Sequence, residues 1–236
     1  TEYLSSTPKY NLMYDAFGWK RPVYIHLPPI MKDATRKLSK RYGDANFDDF
    51  VNKGYLKEAI INYVALLGWS PKENVEKMDM QDMIRLFSLD GISKSQSIFD
   101  EAKLRWLNGE YLRAMTPEEF YEAALPFLQK SAVNGKFDLK KIAALLQQRV
   151  ETLGEIPEKI DWLAELKDYD LSLFDNKKNK TNAEVAKTLL PQIKEYLLSV
   201  DDYGNDALFA ELSAKAADFG VKSGAIFWVL RIAGVS

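Results

Sequence analysis

A mainly α-helical protein is predicted by three features of the sequence. Cap and proline signals recur ahead of apolar segments, those segments follow the helical period, and only Val23 to Leu27, in "RPVYIHLPP", leans toward a strand. In order, Thr7 and Pro8 supply an N-cap and a first-turn proline for "KYNLMYDAF", which Gly18 stops. In "GYLKEAIINYVALLGWSP", Leu56, Ile60, Ile61, Val64 and Leu67 share one helical face, and Gly68 and Pro71 end it. Thr116, Pro117 and Glu119 form a cap, first-turn proline and capping-box partner, with a kink expected at Pro126. "DLKKIAALLQQRVETLGEIPEKIDWLAEL" reads as two amphipathic segments separated by Gly154 and Pro157. Thr181 and Glu184 make another capping box before "AEVAKTLLPQIKEYLLSV", and Asn205 to Gly220 reads as a further helix. The pattern amounts to about nine or ten helices and one strand. No period repeats along the chain, which argues against a regular solenoid, and the polar run "DNKKNKTN", Asp175 to Asn182, is a candidate subdomain boundary.

Composition narrows the function. The 236 residues are 47% apolar and 28% charged, as in a soluble globular chain. No stretch approaches the ~18 continuous apolar residues of a membrane helix. Net charge is −2, so a polyanion would have to meet a local basic patch. The absence of Cys rules out disulfides and thiolate metal sites and fits a reducing cytosol, and His26, the single His, cannot make a multi-histidine zinc site. The N-terminus has neither a signal-peptide pattern nor an initiator Met, so the chain reads as a fragment. Spacing gives no support to a triad of Ser6 or Ser39 with His26. Acidic pairs such as Glu118/Glu119, Asp48/Asp49 and Asp201/Asp202 suit first helical turns and solvated faces, and no Gly-rich nucleotide fingerprint occurs.

One run stands apart. "TRKLSKRYGD" groups Arg36, Lys37, Lys40 and Arg41 around Ser39, with Lys37 and Lys40 at i and i+3. By composition it is a solvated loop; by chemistry, two ammonium groups on a loop could follow charge that builds on a transferring phosphate.

The surrounding residues connect the run to a family. "KLSKR", Lys37 to Arg41, resembles the KMSKS signature of class I aminoacyl-tRNA synthetases. "LSSTPKYNLMYDAFGW", "HLPPIMKDATRKLSKRYGDANFDDFVNKGYLKEAIINYVALLGWSP" and "SIFDEAKLRWLNGEYLR" resemble, in that order, the catalytic-domain exit, the signature loop with its stem-contact helices, and the junction to the anticodon-binding domain of bacterial-type glutamyl-tRNA synthetase. The likeness spans nearly the whole chain and weakens after Asp161. Leu38 for Met and Arg41 for the final Ser are substitutions common in glutamyl enzymes.

The resemblance implies a layout and roles. Residues 1–31 would be the tail of the catalytic α/β domain, 32–116 the signature loop and stem-contact region, 117–175 and 176–236 two subdomains of an α-helical anticodon-binding cage. Lys37, Leu38, Ser39, Lys40 and Arg41 would form the ATP loop, with Lys37 and Lys40 on the phosphates and Lys40 foremost. Arg149, in "QQRVETLGEIPEK", and Arg231, in "WVLRIAG", fall where the family carries anticodon-contacting arginines. Lys103 and Trp106 are weaker candidates near the anticodon stem; Trp106 reads equally well as core, and Arg149 as a helix-end charge. The family's HIGH motif, its glutamate pocket and any zinc segment belong upstream of Thr1, and no HIGH-like tetrapeptide occurs here. "GVKSGAIFWVLRIAGVS" resembles the family's "KxG…LRxAxTG" block, after which further helices are expected. The expectation is a cytoplasmic, monomeric, C-terminal part of glutamate–tRNA ligase that holds tRNA(Glu). ATP and Mg would serve the parent enzyme, with no cofactor on this part. The alternatives are a helical protein-interaction module and a parent that also charges tRNA(Gln).

Overall fold

A computed structural model of the chain describes residues 3–38, 46–165 and 168–235. The fold is mainly α, as the sequence predicts. The chain runs α1 (Thr7–Ala16), β1 (Ile30–Met31), α2 (Phe47–Asn52), α3 (Lys57–Gly68), α4 (Met80–Leu86), β2 (Ser97–Ile98), α5 (Glu101–Ala114), α6 (Pro117–Leu128) and α7 (Leu139–Leu146). It continues through α8 (Ile156–Ile160), α9 (Ala183–Leu197), α10 (Asn205–Lys215) and α11 (Ser223–Val235). Two compact units result: Thr1–Lys130 with Phe137–Pro157, and Ser131–Lys136 with Glu158–Ser236.

In the first unit α3 packs on α5 and α6 on α7. Tyr55, Ile60, Tyr63, Leu67, Leu104 and Leu107 close one core cluster, while Phe120, Ala124, Leu128, Ile142 and Leu146 are buried along α6 and α7. In the second unit α11 packs on α9 and α10 over Phe174, Leu189, Ile193, Leu212, Ile226 and Val229.

Helix entries follow side-chain capping. Asp79, Asp100, Asp138 and Asn182 each accept a backbone N–H of the first turn, and Thr116 with Glu119 forms the expected reciprocal box. Pro126 lies inside α6, which stops two residues later at Leu128. Gly18, at φ +68°, ends the first helix as expected.

Several local expectations are corrected. Thr7 is inside α1, where its Oγ1 donates to the Tyr3 carbonyl, and Ser6 takes the cap position. Val23 to Leu27 forms no strand: Val23 is 90% exposed, and Pro22 on one side and Pro28 and Pro29 on the other bound the run with residues that have no N–H to extend a ladder. The two strands of the described residues lie instead at Ile30–Met31 and Ser97–Ile98, paired in parallel. On α3 the buried face is Ala59, Ile60, Asn62, Tyr63 and Leu67, while Ile61 and Val64 are exposed. Asn62 belongs to that face with its Oδ1 accepting from the Met78 N–H at 2.9 Å and from the Tyr111 hydroxyl at 2.9 Å, which offsets the cost of burying the carbonyl half of the amide. Asn182, not Thr181, caps α9; the Thr181 hydroxyl donates to the Phe174 carbonyl. The break between the two segments expected on either side of Gly154 and Pro157 is displaced: α7 already stops at Leu146, and Pro157 lies in the first turn of the short α8 and not between helices.

One crossing fixes the first unit. The turn after α2 meets the segment after α7 at Gly54 and Gly154, where the Leu153 N–H donates to the Gly54 carbonyl at 3.0 Å. A Cβ on Gly154 would fall 2.3 Å from the Lys53 carbonyl oxygen, and one on Gly54 2.2 Å from the Gly154 nitrogen. Gly54 also has φ +85°. Gly154→Ala should therefore destabilise the first unit by about 2–4 kcal/mol, read from denaturant unfolding, because two backbones would have to part. Gly18→Ala, in the same unit, with no atom near its added Cβ but φ +68°, should cost about 1–2 kcal/mol and serves as the comparison.

Candidate nucleic-acid interface

The basic loop starts from a braced turn. Asp33 accepts from the Thr35 N–H at 3.0 Å, the Thr35 hydroxyl at 2.9 Å, the Arg36 N–H at 2.9 Å and the Arg36 Nε at 2.6 Å. The two backbone donors and the Thr35 and Arg36 side chains hold its carboxyl well below the usual carboxylate range. The chain thus folds back: Lys37 bridges Met31 antiparallel, and the Leu38 N–H donates to the Ile30 carbonyl at 3.0 Å. Since Ile30 and Met31 pair with Ser97 and Ile98, the loop's first residues are stitched to a sheet that leads directly into α5. Lys37 is exposed. Leu38 is half-buried in a cleft with Asp49, Phe50, Lys53 and Phe99. Ser39, Lys40 and Arg41 lie outside the described residues.

Arg149 occupies the turn after α7, where its N–H donates to the Leu146 carbonyl at 2.7 Å. Its side chain is exposed, and no ion pair or side-chain hydrogen bond among the described residues engages it. The backbone on both sides is tied down. The buried Gln147 donates from Nε2 to the Leu112 and Met115 carbonyls at 3.2 and 2.7 Å. Asn108, fully buried on α5, donates to the Glu151 carbonyl and accepts from the Leu56 N–H at 2.8 Å. Thr152 and Glu155 form a capping box, with the Glu155 carboxylate accepting from the Thr152 N–H at 2.9 Å. Arg105 reaches both acids, Nε to Glu151 Oε2 at 3.2 Å and a terminal nitrogen to Glu155 Oε1 at 3.0 Å. Burial penalises the Arg105 charge, but Glu155 and Glu151 outweigh that and raise its pKa.

Arg231 is exposed on α11, one turn after Phe227, whose ring stacks on exposed Phe209 at 4.7 Å. It belongs to the second compact unit; Lys37, Lys103, Trp106 and Arg149 belong to the first. Lys103, on α5, donates from Nζ to Glu76 Oε1 at 2.7 Å, and Trp106, one turn on, is 41% exposed.

Sequence reasoning did not single out Asp33, Arg105 or Asn108. Asp33-Ala-Thr35 carries the pattern of an Asx turn and Thr152-x-x-Glu155 that of a capping box, so both were legible locally. Arg105 had no such signal, because its partners lie 46 and 50 residues away. Asp33→Ala should release the turn, raising hydrogen exchange of the Leu38 amide about ten-fold while α5 amides stay unchanged. Because the folded pKa of Asp33 is depressed, its contribution is present at neutral pH and lost as pH falls through that folded value, so acid should lower the protection factor of the Leu38 amide once the intrinsic slowing of exchange is divided out.

Comparison with known proteins bears on family and fold. The family model described as tRNA synthetases class I (E and Q), catalytic domain, matches residues 1–106, and that of the anticodon binding domain matches 119–235. The glutamate–tRNA ligase of Clostridium acetobutylicum is 47% identical over 232 residues, 98% of this chain and 48% of the relative. That of Clostridium tetani is 47% identical over 233 residues, again 48% of its length. The crystal structure of a glutamate tRNA ligase from Elizabethkingia meningosepticum in complex with its amino acid superposes with a TM-score of 0.76 at 27% identity, over 99% of this chain and 50% of that one. The chain spans about half the length of the relatives it matches. It belongs to the glutamyl-tRNA synthetase family of class I aminoacyl-tRNA synthetases.

Proposed function

We propose that the chain is the C-terminal, tRNA-holding part of a glutamate–tRNA ligase, whose parent activates glutamate with ATP and transfers it to tRNA(Glu). The observation that carries this reading is Arg149, an exposed guanidinium on a segment tied to two helices. Bases in an anticodon loop are unstacked, and reading them needs hydrogen-bonding edges and planar cations held on a rigid support. Arg149 and Arg231 take that role, with Lys103 and Trp106 as secondary contacts near the stem. Lys103 would have to exchange its Glu76 partner for a phosphate, which makes it the weaker of the cations. Trp106 is partly exposed and not a full core residue.

Lys37, Leu38, Ser39, Lys40 and Arg41 form the ATP loop of the parent. Exposed Lys37, on its braced turn, fits one phosphate contact. ATP supplies the activating phosphoanhydride and Mg enters with it; among the described residues no group of three or more His, Cys, Asp and Glu side chains gathers to hold a metal. With no HIGH-like tetrapeptide in the sequence, this part forms no adenylate by itself. The functional division at 31/32, 116/117 and 175/176 follows these roles. The protein acts as a monomer in the cytoplasm, and Arg149 favours use of tRNA(Glu) alone over charging of tRNA(Gln) as well. Among the described residues no helix is long and apolar enough to cross a membrane.

Titrating the chain with a tRNA(Glu) transcript at two salt concentrations tests the reading. Binding should weaken as salt rises, and Arg149→Ala and Arg231→Ala should each cost about 1–3 kcal/mol, most of it lost for transcripts whose anticodon is already replaced. No preference for RNA at low salt, or affinities unchanged by both substitutions, would favour the protein-interaction module.

A further inference from the structure

Arg105 is unexplained by the proposed contacts, since its guanidinium is turned to protein carboxylates instead of outward. Its fork closes on Glu151, two residues after Arg149, and on Glu155, the acid that also caps the 152–155 turn. One turn further along α5, Asn108 holds the Glu151 carbonyl. The stretch that presents Arg149 is therefore gripped at Glu151 through both backbone and side chain by consecutive turns of one helix. We infer that Arg105 is a positioning residue for RNA recognition, fixing the Arg149 segment on α5 and masking the two carboxylates beside it.

Two physical effects support the inference. The first is orientation: side-chain freedom at Arg149 is inherent, but the path of its backbone is set by Gln147 before it and by Glu151 after it, and only the second anchor has a charged component. The second is charge. An unmasked pair of carboxylates within six residues of Arg149 would repel a polyanion and compete for the arginine itself, in a chain whose net charge is already −2. A guanidinium satisfies both acids at once through its planar fork, which a lysine ammonium does only in part. The fork is half-exposed, so its loss should leave the hydrophobic contacts of α5, Leu104 and Leu107, in place.

The inference rests on the anticodon reading of Arg149, and the test separates the two. The 236-residue chain and its Arg105→Met, Arg105→Lys, Arg149→Ala and Arg105→Met/Arg149→Ala variants are titrated with a tRNA(Glu) transcript and with the same transcript carrying three replaced anticodon bases. The readout is the ratio of the two affinities, taken alongside the unfolding midpoint of each variant. Arg105→Met should lower the ratio about five- to ten-fold, Arg105→Lys should recover part of it, and the double variant should discriminate no worse than Arg149→Ala alone. A ratio unchanged by Arg105→Met while Arg149→Ala lowers it would overturn the positioning role and leave the anticodon reading standing. Losses that multiply in the double variant, or equal weakening of both transcripts with a lowered midpoint, would also overturn it, as a merely structural role would. A ratio unchanged by Arg149→Ala would overturn both.

Discussion

The contact on which the first unit depends is the crossing of two backbones at Gly54 and Gly154. Only hydrogen fits between them, and the Leu153 N–H bond to the Gly54 carbonyl uses the proximity that the missing side chains allow. Around this crossing the polar groups are satisfied by side chains from a third element. Asn108 accepts from Leu56 at the start of α3 and donates to the Glu151 carbonyl, so a single buried amide spans the turn after α2, helix α5 and the segment after α7. Burying it without both partners would cost about 1–3 kcal/mol for each orphaned group, which is why the amide specifies one arrangement instead of merely filling space.

From that arrangement the functional surface follows. The sheet pair β1–β2 carries the beginning of the basic loop on one side and opens into α5 on the other, so the residues ahead of Ser39 and the helix bearing Arg105 share one support. Phe50, Tyr55, Tyr63 and Phe99 pack edge-on and tilted between them, joining α2, α3 and the approach to α5. An acidic chain can meet RNA only where its cations are free and its anions are occupied. Arg149 satisfies the first condition and the Arg105 fork the second. Single exposed ion pairs elsewhere, such as Lys215 with Asp218, add little to stability and serve mostly solvation.

Much of this was legible in the sequence, and the failures have physical causes. Thr116-Pro117-x-Glu119 specified its helix start because every contact involved is local. The α3 helix was legible but its face was not, since counting apolar residues promotes Ile61 and Val64, whereas burial selects Asn62 and Tyr63, whose Oδ1 and hydroxyl find partners 16 and 37 residues away. Val23 to Leu27 has the composition of a strand but lies in no ladder among the described residues, while the two strands found there are two residues each and too short to leave a pattern. Arg149 and Arg231 were indistinguishable from any surface arginine by composition; only the resemblance of their surroundings marked them. Arg105 and Asn108 were invisible for the opposite reason: their roles are set entirely by residues far along the chain.

The most direct test of the central claim, that the Arg149 segment is part of the scaffold and not a loop laid over it, is native-state hydrogen exchange at the amides of Leu153 and Leu56. The account predicts that both exchange only with unfolding of the first unit, at the rate of the slowest amides in α3 and α5. Exchange through a local opening, with little denaturant dependence and well ahead of those helices, would contradict it.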